Sequence, residues 1–331
     1  MATGRKVVIG VDLGGTNMLA AAVDDRKGKV LGESKRKTNP ELGAVGVSER
    51  IVASVNAAIK EAGLKRKDIA GVGIGVPGPV DPERGIVVRC PNLGPSWDSF
   101  PLRETLGGSL DLPATIDNDV RVGAVGEHTF GAGRGAGDML AIFVGTGIGG
   151  GLILGGKLHS GCRSSSGEVG HMVLLADGPL CGCGERGHAE ALASRTAIDR
   201  SIRAALDAGR PSSVPQLLVQ SGHTLISAGI IGDAYDAGDQ VVIEAVQRAQ
   251  YYLGLLVSAC VNLLDPEVVV IGGGVLERMG DSYLGPVRQV AEQHYINKTS
   301  MEGKCVRVVR AALGDYSGAM GAAVLARQRL A

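Results

Sequence analysis

Two glycine-rich turns, one early and one near the middle of the chain, each follow a short apolar run. Asp12-Leu13-Gly14-Gly15-Thr16 comes after residues 6–11, and Gly145-Thr146-Gly147-Ile148-Gly149-Gly150-Gly151 after residues 139–144. A strand that ends in a glycine turn and returns as a second strand is a hairpin. Here the unit occurs twice, each time at the head of a series of strands and helices. That predicts two copies of one α/β arrangement, and 331 residues are enough for two domains.

In the first half, strands are predicted over 6–11, 18–24 and 29–37 in antiparallel succession. A helix follows over 45–62, with Val47, Ile51, Val55 and Ile59 at helical spacing. Strands over 69–76 and 114–117 and a helix over 119–130 complete the set. The second half repeats the opening with a strand over 139–144, the 145–151 cluster as its turn, and a return over 152–154. A helical region from about Glu190, a stronger helix over 239–264 and a strand over 268–271 come next. Helices around 283–295 and 315–329 flank a strand over 306–309. The run Gly131-Ala132-Gly133-Arg134-Gly135-Ala136-Gly137 reads as a hinge. The expected domains are therefore 1–133 and 134–314, with the terminal helix, about 315–331, able to pack on the first.

Charge narrows the function classes. Lys plus Arg and Asp plus Glu are 34 each, so the chain offers no general basic surface for nucleic acid or anionic membrane. No run of 18 apolar residues occurs, and the apolar stretch around 253–264 has the length of a core helix. The first six residues carry no apolar leader, so a cytoplasmic protein is expected. Cys90, Cys162, Cys260 and Cys305 are scattered and read as reduced, packed thiols rather than a disulfide framework.

The loops suit an anion. Glycines let backbone N–H groups approach a phosphate, Thr16 and Thr146 each add a hydroxyl, and Asp12 can hold a magnesium ion through water. A bare hairpin turn is the alternative for the first loop alone, but five glycines in seven residues exceed what a hairpin needs. Neither loop is a Walker A sequence, and neither opens a helix as a dinucleotide fingerprint does. A third cluster, Gly272-Gly273-Gly274, follows the strand over 268–271 and could admit the adenosine part of a nucleotide.

Taken together, Asp12-Leu13-Gly14-Gly15-Thr16, Gly73-Ile74-Gly75-Val76-Pro77-Gly78, Asn118-Asp119, the 145–151 loop, Gly167-Glu168-Val169-Gly170-His171 and Cys181-Gly182-Cys183-Gly184 resemble the ROK family of repressors, open reading frames and sugar kinases. The motifs keep the family's order over about residues 7–325. The resemblance implies an α/β fold of two ribonuclease-H-like (actin/hexokinase-like) domains with a cleft between them, which close on ATP and a sugar. Some members are repressors with an N-terminal DNA-binding module. With a phosphate loop starting at Asp12, the kinase branch is the expectation.

What the resemblance implies for single residues follows. Asp119 is the catalytic base that accepts a hydroxyl proton, with helix capping as its ordinary alternative. Asn118 beside it, Glu168, His171 and Glu190, and in support Gly78 and Asn92, fix the sugar hydroxyls. Leu93 and Trp97 are candidates for its apolar face, although a lone Trp usually belongs to a core. Gly14, Gly15, Thr16 and Asn17, then Gly145, Thr146 and Gly147, then Gly273 and Gly274, hold ATP with Mg2+ at Asp12. Where the family continues Asn-Asp-Ala-Asn, this chain has Val120-Arg121, and Asp117 can either pair with Arg121 or face solvent.

Cys181-Gly182-Cys183 has the tight spacing of a metal turn. His188 follows five residues later, and His171 lies ten residues before. Two thiolates and two imidazoles make a closed tetrahedral Zn2+ site, which would be structural because no ligand position stays open. The family usually has a third cysteine where His188 stands. His171 would bind the metal through one ring nitrogen and turn the other toward sugar.

The leading expectation is a kinase that converts glucose to glucose 6-phosphate, with N-acetylhexosamine, mannose or fructose as other substrates and a non-catalytic sugar sensor as the rival class. A phosphatase or hydrolase would need an acid or a water-positioning group that the sequence does not offer. ATP is the expected donor, because polyphosphate-using relatives usually lack the cysteine cluster. A homodimer or homotetramer is expected from the resemblance.

Overall fold

The structure, a computed structural model, describes residues 7–24, 26–222, 224–298 and 305–330. Lys6, the expected first residue of the opening strand, lies outside them. In β1 (Val7–Leu13), Val7, Ile9, Val11 and Leu13 enter one core while Val8 enters another. A strand apolar on both faces belongs inside a layered sheet. β2 (Asn17–Asp24) and β3 (Lys29–Lys37) follow antiparallel to it, then α1 (Gly43–Glu61) and β4 (Ile69–Val76). A small hairpin, β5 (Val80–Asp81) and β6 (Ile86–Val87), precedes α2 (Leu102–Leu110), β7 (Ala114–Asn118) and α3 (Asp119–Phe130). The sheet order is β3-β2-β1-β4-β7, with β1, β4 and β7 parallel.

The second series starts with β8 (Met139–Val144), β9 (Ile148–Leu154) and β10 (Lys157–Leu158). Helices α4 (Ala189–Ala193), α5 (Arg195–Asp207), α6 (Val214–Ser221), α7 (Ala228–Asp236) and α8 (Gln240–Leu264) come next. β11 (Val268–Gly272), α9 (Gly274–Met279), α10 (Asp281–Gln293), β12 (Arg307–Arg310) and α11 (Tyr316–Leu330) finish the chain. Its order, β10-β9-β8-β11-β12, repeats that of the first sheet, again with three parallel strands. The glycine cluster expected to turn as far as Gly151 turns only to Gly147, and β9 begins at Ile148. Glycine is a poor strand former, so propensity hid this strand, which its place beside β8 in the sheet sets instead.

The residues divide into two units, Met1–Gly137 with Gly151–Gly167 and Ala312–Ala331, and Asp138–Gly150 with Glu168–Ala311. In the first unit, Val47, Ile51, Val55 and Ala58 of α1 and Leu102, Leu106 and Leu110 of α2 close over one face of the sheet. Pro40–Glu61, which comprises α1 and the turn before it, is long and apolar enough to pass for a membrane span by length and composition, but the apolar stripe of α1 packs in the core. Leu93 and Trp97 are closed into the same core, Trp97 edge-on to Phe100 with ring centroids 5.5 Å apart. Neither therefore serves as the apolar face of a sugar site. Ala319, Met320, Ala323 and Ala326 of α11 cover the other face. Helix and sheet backbones touch there: a Cβ on Gly10 would lie 1.7 Å from Ala319 O, and one on Gly73 2.0 Å from Ala322 O. In the second unit α8 packs against α4, α5 and α10, its first turn capped by Asp239, which accepts from Val241 N and Val242 N.

Candidate active site

Strand register brings the first group of residues together. Asp12, near the end of β1, pairs across Gly75 of β4, and Gly75 in turn pairs with Asp117 of β7. All three strands point the same way, so Asp12, Asn118 and Asp119 share the carboxyl edge of one parallel sheet, the usual ligand edge of α/β proteins. A side chain on Gly75 would come within 3.3 Å of Asp119 Cα, so glycine there lets the aspartate sit close. Burial first, then the charges of Asp119 and Asp315, pushes the Asp12 carboxyl up from 3.8 to about 7. A buried carboxyl held back from ionising beside other carboxylates offers an oxygen site that a hard cation such as Mg2+ relieves.

Asn118 caps α3: its Oδ1 accepts from Val120 N at 3.0 Å and Arg121 N at 3.1 Å. Its Nδ2 donates to Gly78 O at 3.1 Å and Asp119 Oδ1 at 3.0 Å. Asp119 Oδ1 also accepts from Val120 N at 2.9 Å. The capping role open to Asp119 thus falls to its neighbour, and the Asp119 carboxylate is fixed in direction. Gly78, at φ 88°, packs on Arg89 O, where a Cβ would lie at 2.5 Å, and Asn92 lies beside Gly15. The first hairpin turn closes with Gly14 N donating to Asn17 O at 2.9 Å, and Thr38 Oγ1 donates to Gly14 O at 2.6 Å. Thr16 and Asn17 are exposed.

The second unit holds the other turn. Gly145 N donates to Gly147 O at 2.9 Å, and the start of α5 pins the loop from below. Arg195 N donates to Gly145 O at 3.0 Å, and Thr196 Oγ1 donates to Thr146 O at 2.7 Å. Gly145 and Gly274 line a cavity of about 380 Å³ with Arg195, Leu225, Ser227 and Val275. Gly273 cannot be another residue there, since its φ is 124° and a Cβ would lie 2.0 Å from Val144 O. Arg195 and the 224–228 stretch were not singled out by the sequence. No glycine pattern or charge cluster marks them.

Glu190 meets the same loop. Its Oε2 accepts from Ile148 N at 2.9 Å, and a Cβ on Gly147 would lie 2.2 Å from that oxygen. Its Oε1 accepts from Cys181 Sγ at 3.3 Å. Cys181 belongs to a cluster with His171, Cys183 and His188 whose ligand atoms all lie within 4.8 Å of one another. His188 Nδ1 is 3.2 Å from both His171 Nδ1 and Cys183 Sγ, and Cys181 Sγ is 4.0 Å from His171 Nδ1. A tetrahedral zinc would hold such atoms roughly 3.3–3.8 Å apart, so this donor set fits the ion. The Nε2 side of His171 faces outward, 3.9 Å from Glu168 Oε2. Burial pushes the Cys181 thiol up to about 12, a tendency that a bound cation reverses.

Arg121 resolves the alternatives left for Asp117. It is buried, with Nε 3.2 Å from Asp117 Oδ1, and Asp117 also accepts from Arg329. Residues 8–329 match the model of the ROK family. The chain belongs to the ROK family. A glucokinase of Thermotoga maritima is 34% identical over 323 residues, 98% of each chain. One of Halalkalibacterium halodurans is 32% identical over 322 residues, 97% of this chain and 95% of the relative. A solved ROK glucokinase of Streptomyces griseus, in complex with glucose and AMPPNP, superposes with a TM-score of 0.82 at 34% identity, over 97% of this chain and 99% of that one. The fold is thus the two-domain actin/hexokinase-like one expected. This ROK protein is a hexose kinase that phosphorylates a sugar with ATP.

Proposed function

We propose that the preferred sugar is glucose, phosphorylated on its 6-hydroxyl, with Asp119 as the general base. The observation that carries the reading is the setting of Asp119. Its carboxylate stands at the carboxyl edge of the parallel strands, held through Oδ1 by Asn118 Nδ2 and Val120 N, and its charge acts on Asp12. Phosphoryl transfer asks a protein mainly to align donor and acceptor and to take one proton. Asp119 accepts the hydroxyl proton as the sugar oxygen bonds to the γ-phosphorus of ATP and the bond from that phosphorus to the departing ADP oxygen breaks. The two fixed hydrogen bonds keep its carboxylate aimed. Glu168, His171 and Glu190 bind the sugar hydroxyls, supported by Gly78, Asn92 and Asn118.

The turns at Gly14, Gly15, Thr16 and Asn17 and at Gly145, Thr146 and Gly147 receive the phosphates, and Gly273 and Gly274 admit the adenosine. Asp12 would hold Mg2+, which when bound neutralises triphosphate charge. His171, Cys181, Cys183 and His188 would hold Zn2+, which when bound orders the segment around Glu190 and leaves no coordination position for substrate. We assign the enzyme to the cytoplasm as a homodimer or homotetramer. The exposed Tyr251 and Leu263 of α8 support a contact between copies. An ADP-release panel over glucose, N-acetylglucosamine, mannose and fructose tests the sugar. The highest kcat/KM is expected with glucose. A higher value for another sugar overturns that choice, and binding without ADP release makes the protein a sensor.

A further inference from the structure

We propose that Arg121 is a positioning residue that ties the loop leading to Glu168 to the strand end that carries Asp119. The proposal rests on the reading of Asp119 as the base and of Glu168 as a sugar ligand. Arg121 is the third residue of α3, and its own N–H is held by Asn118 Oδ1. Its guanidinium reaches in two directions. Toward the strand it faces Asp117, whose Oδ1 also accepts from Asn118 N at 2.8 Å and whose Oδ2 accepts from Arg329. Toward the loop it donates to Ser164 O at 3.1 Å and to Ser160 Oγ.

Both charged side chains are almost fully removed from water, 3% exposed for Arg121 and 1% for Asp117. Burying such a pair is a poor way to gain stability, because desolvation offsets most of the attraction. A fork of five donors is well suited to holding several acceptors in one arrangement. The loop carries a mark of the same constraint. Ser164 has φ 53°, a left-handed setting that a serine keeps only when its surroundings enforce it, and its carbonyl is the one Arg121 holds. Four residues further along the chain comes Glu168. One guanidinium thus touches both the strand end preceding Asp119 and the segment that feeds Glu168 into its place.

The test is a double-mutant cycle of Arg121→Lys and Ser160→Ala, read as kcat and as separate KM values for glucose and ATP. Lysine keeps a cation opposite Asp117 but cannot hold the serine contacts at the same time. Arg121→Lys should lower kcat/KM for glucose about tenfold or more, with a raised glucose KM and an ATP KM within about twofold of the parent. Ser160→Ala should give a smaller loss in the same direction, and the double variant should be no worse than Arg121→Lys. A lower melting temperature with kcat and glucose KM unchanged overturns the proposal, as do effects that simply multiply. If Arg121→Lys does not fold, Ser160→Ala decides, and an unchanged glucose KM overturns the proposal. Asp119→Asn in the same assay separates the two readings. An inactive Asp119→Asn beside a normal Arg121→Lys sinks only this proposal, while an active Asp119→Asn sinks the reading of the base.

Discussion

Glu127, near the end of α3, is fully buried and gathers backbone donors from two distant parts of the chain. Its Oε1 accepts from Leu313 N at 2.9 Å and Ser317 Oγ at 2.8 Å, its Oε2 accepts from Ala132 N at 2.9 Å, and Ala312 N is shared between the two oxygens. These donors lie close to Gly137 and Ala312, where the chain first leaves and last re-enters the first unit. Glu127→Gln keeps the shape but replaces one acceptor oxygen with an NH2 group. If the amide oxygen takes the Oε1 position, Ala312 N keeps an acceptor, but the NH2 faces the Ala132 N–H, and two donors, that N–H and the new NH2, are left without an acceptor. At about 1–3 kcal/mol for each unsatisfied buried group, the loss is about 2–6 kcal/mol. That is a large part of the 5–15 kcal/mol typical of a folded domain. Urea denaturation followed by circular dichroism should show a lower midpoint for the transition that reports the first unit. A shift worth less than about 0.5 kcal/mol would refute the claim that these donors need both Glu127 oxygens as acceptors.

Two further outcomes follow from the site. Asp12 has its carboxyl raised to about 7 from 3.8, so the folded state holds a proton that the unfolded state has released. The resulting penalty is absent below about pH 4, grows as pH rises to about 7, and stays constant above, reaching at most about 4 kcal/mol. Relative to Asp12→Asn, metal-free protein should lose stability across that window, and Asp119→Asn should shrink the loss. Parallel melting curves for parent and Asp12→Asn from pH 4 to 8 would contradict this. Removing the proposed zinc from the cysteine–histidine cluster should convert Cys181 from a thiolate ligand to a neutral thiol that donates to Glu190 Oε1. Glucose KM should then rise while binding of ATP changes little, with His188→Cys remaining loaded with zinc and active. Full glucose affinity in a chelated protein verified to be zinc-free would refute the role of His171 and its neighbours.

The hairpins and the parallel strands were legible because each is an apolar run closed by turn residues, and β3, β4, β8 and α3 fall on their expected residues. α2 was missed although Leu102, Leu106 and Leu110 have helical spacing, because Pro101 and Gly107-Gly108 read as breakers in so short a stretch. The candidate site residues were named from sequence because they stand in compact motifs. What could not be read were partnerships across long sequence separation. Asp117 meets Arg329, Arg121 meets Ser160 and Ser164, and Glu127 meets Ala312 and Leu313 only once the sheet and α11 are assembled. The same holds for the use of Glu190, whose hydrogen bond to Ile148 N joins the glycine turn to the cysteine cluster.

The central claim is that Asp119 takes the proton in the transfer step. Asp119→Ala, checked for an unchanged fold, should bind glucose and ATP with dissociation constants close to those of the parent. Its kcat should fall by a factor on the order of 10²–10⁴, as for loss of a general base. Single-turnover phosphoryl transfer at a rate near that of the parent would contradict the account.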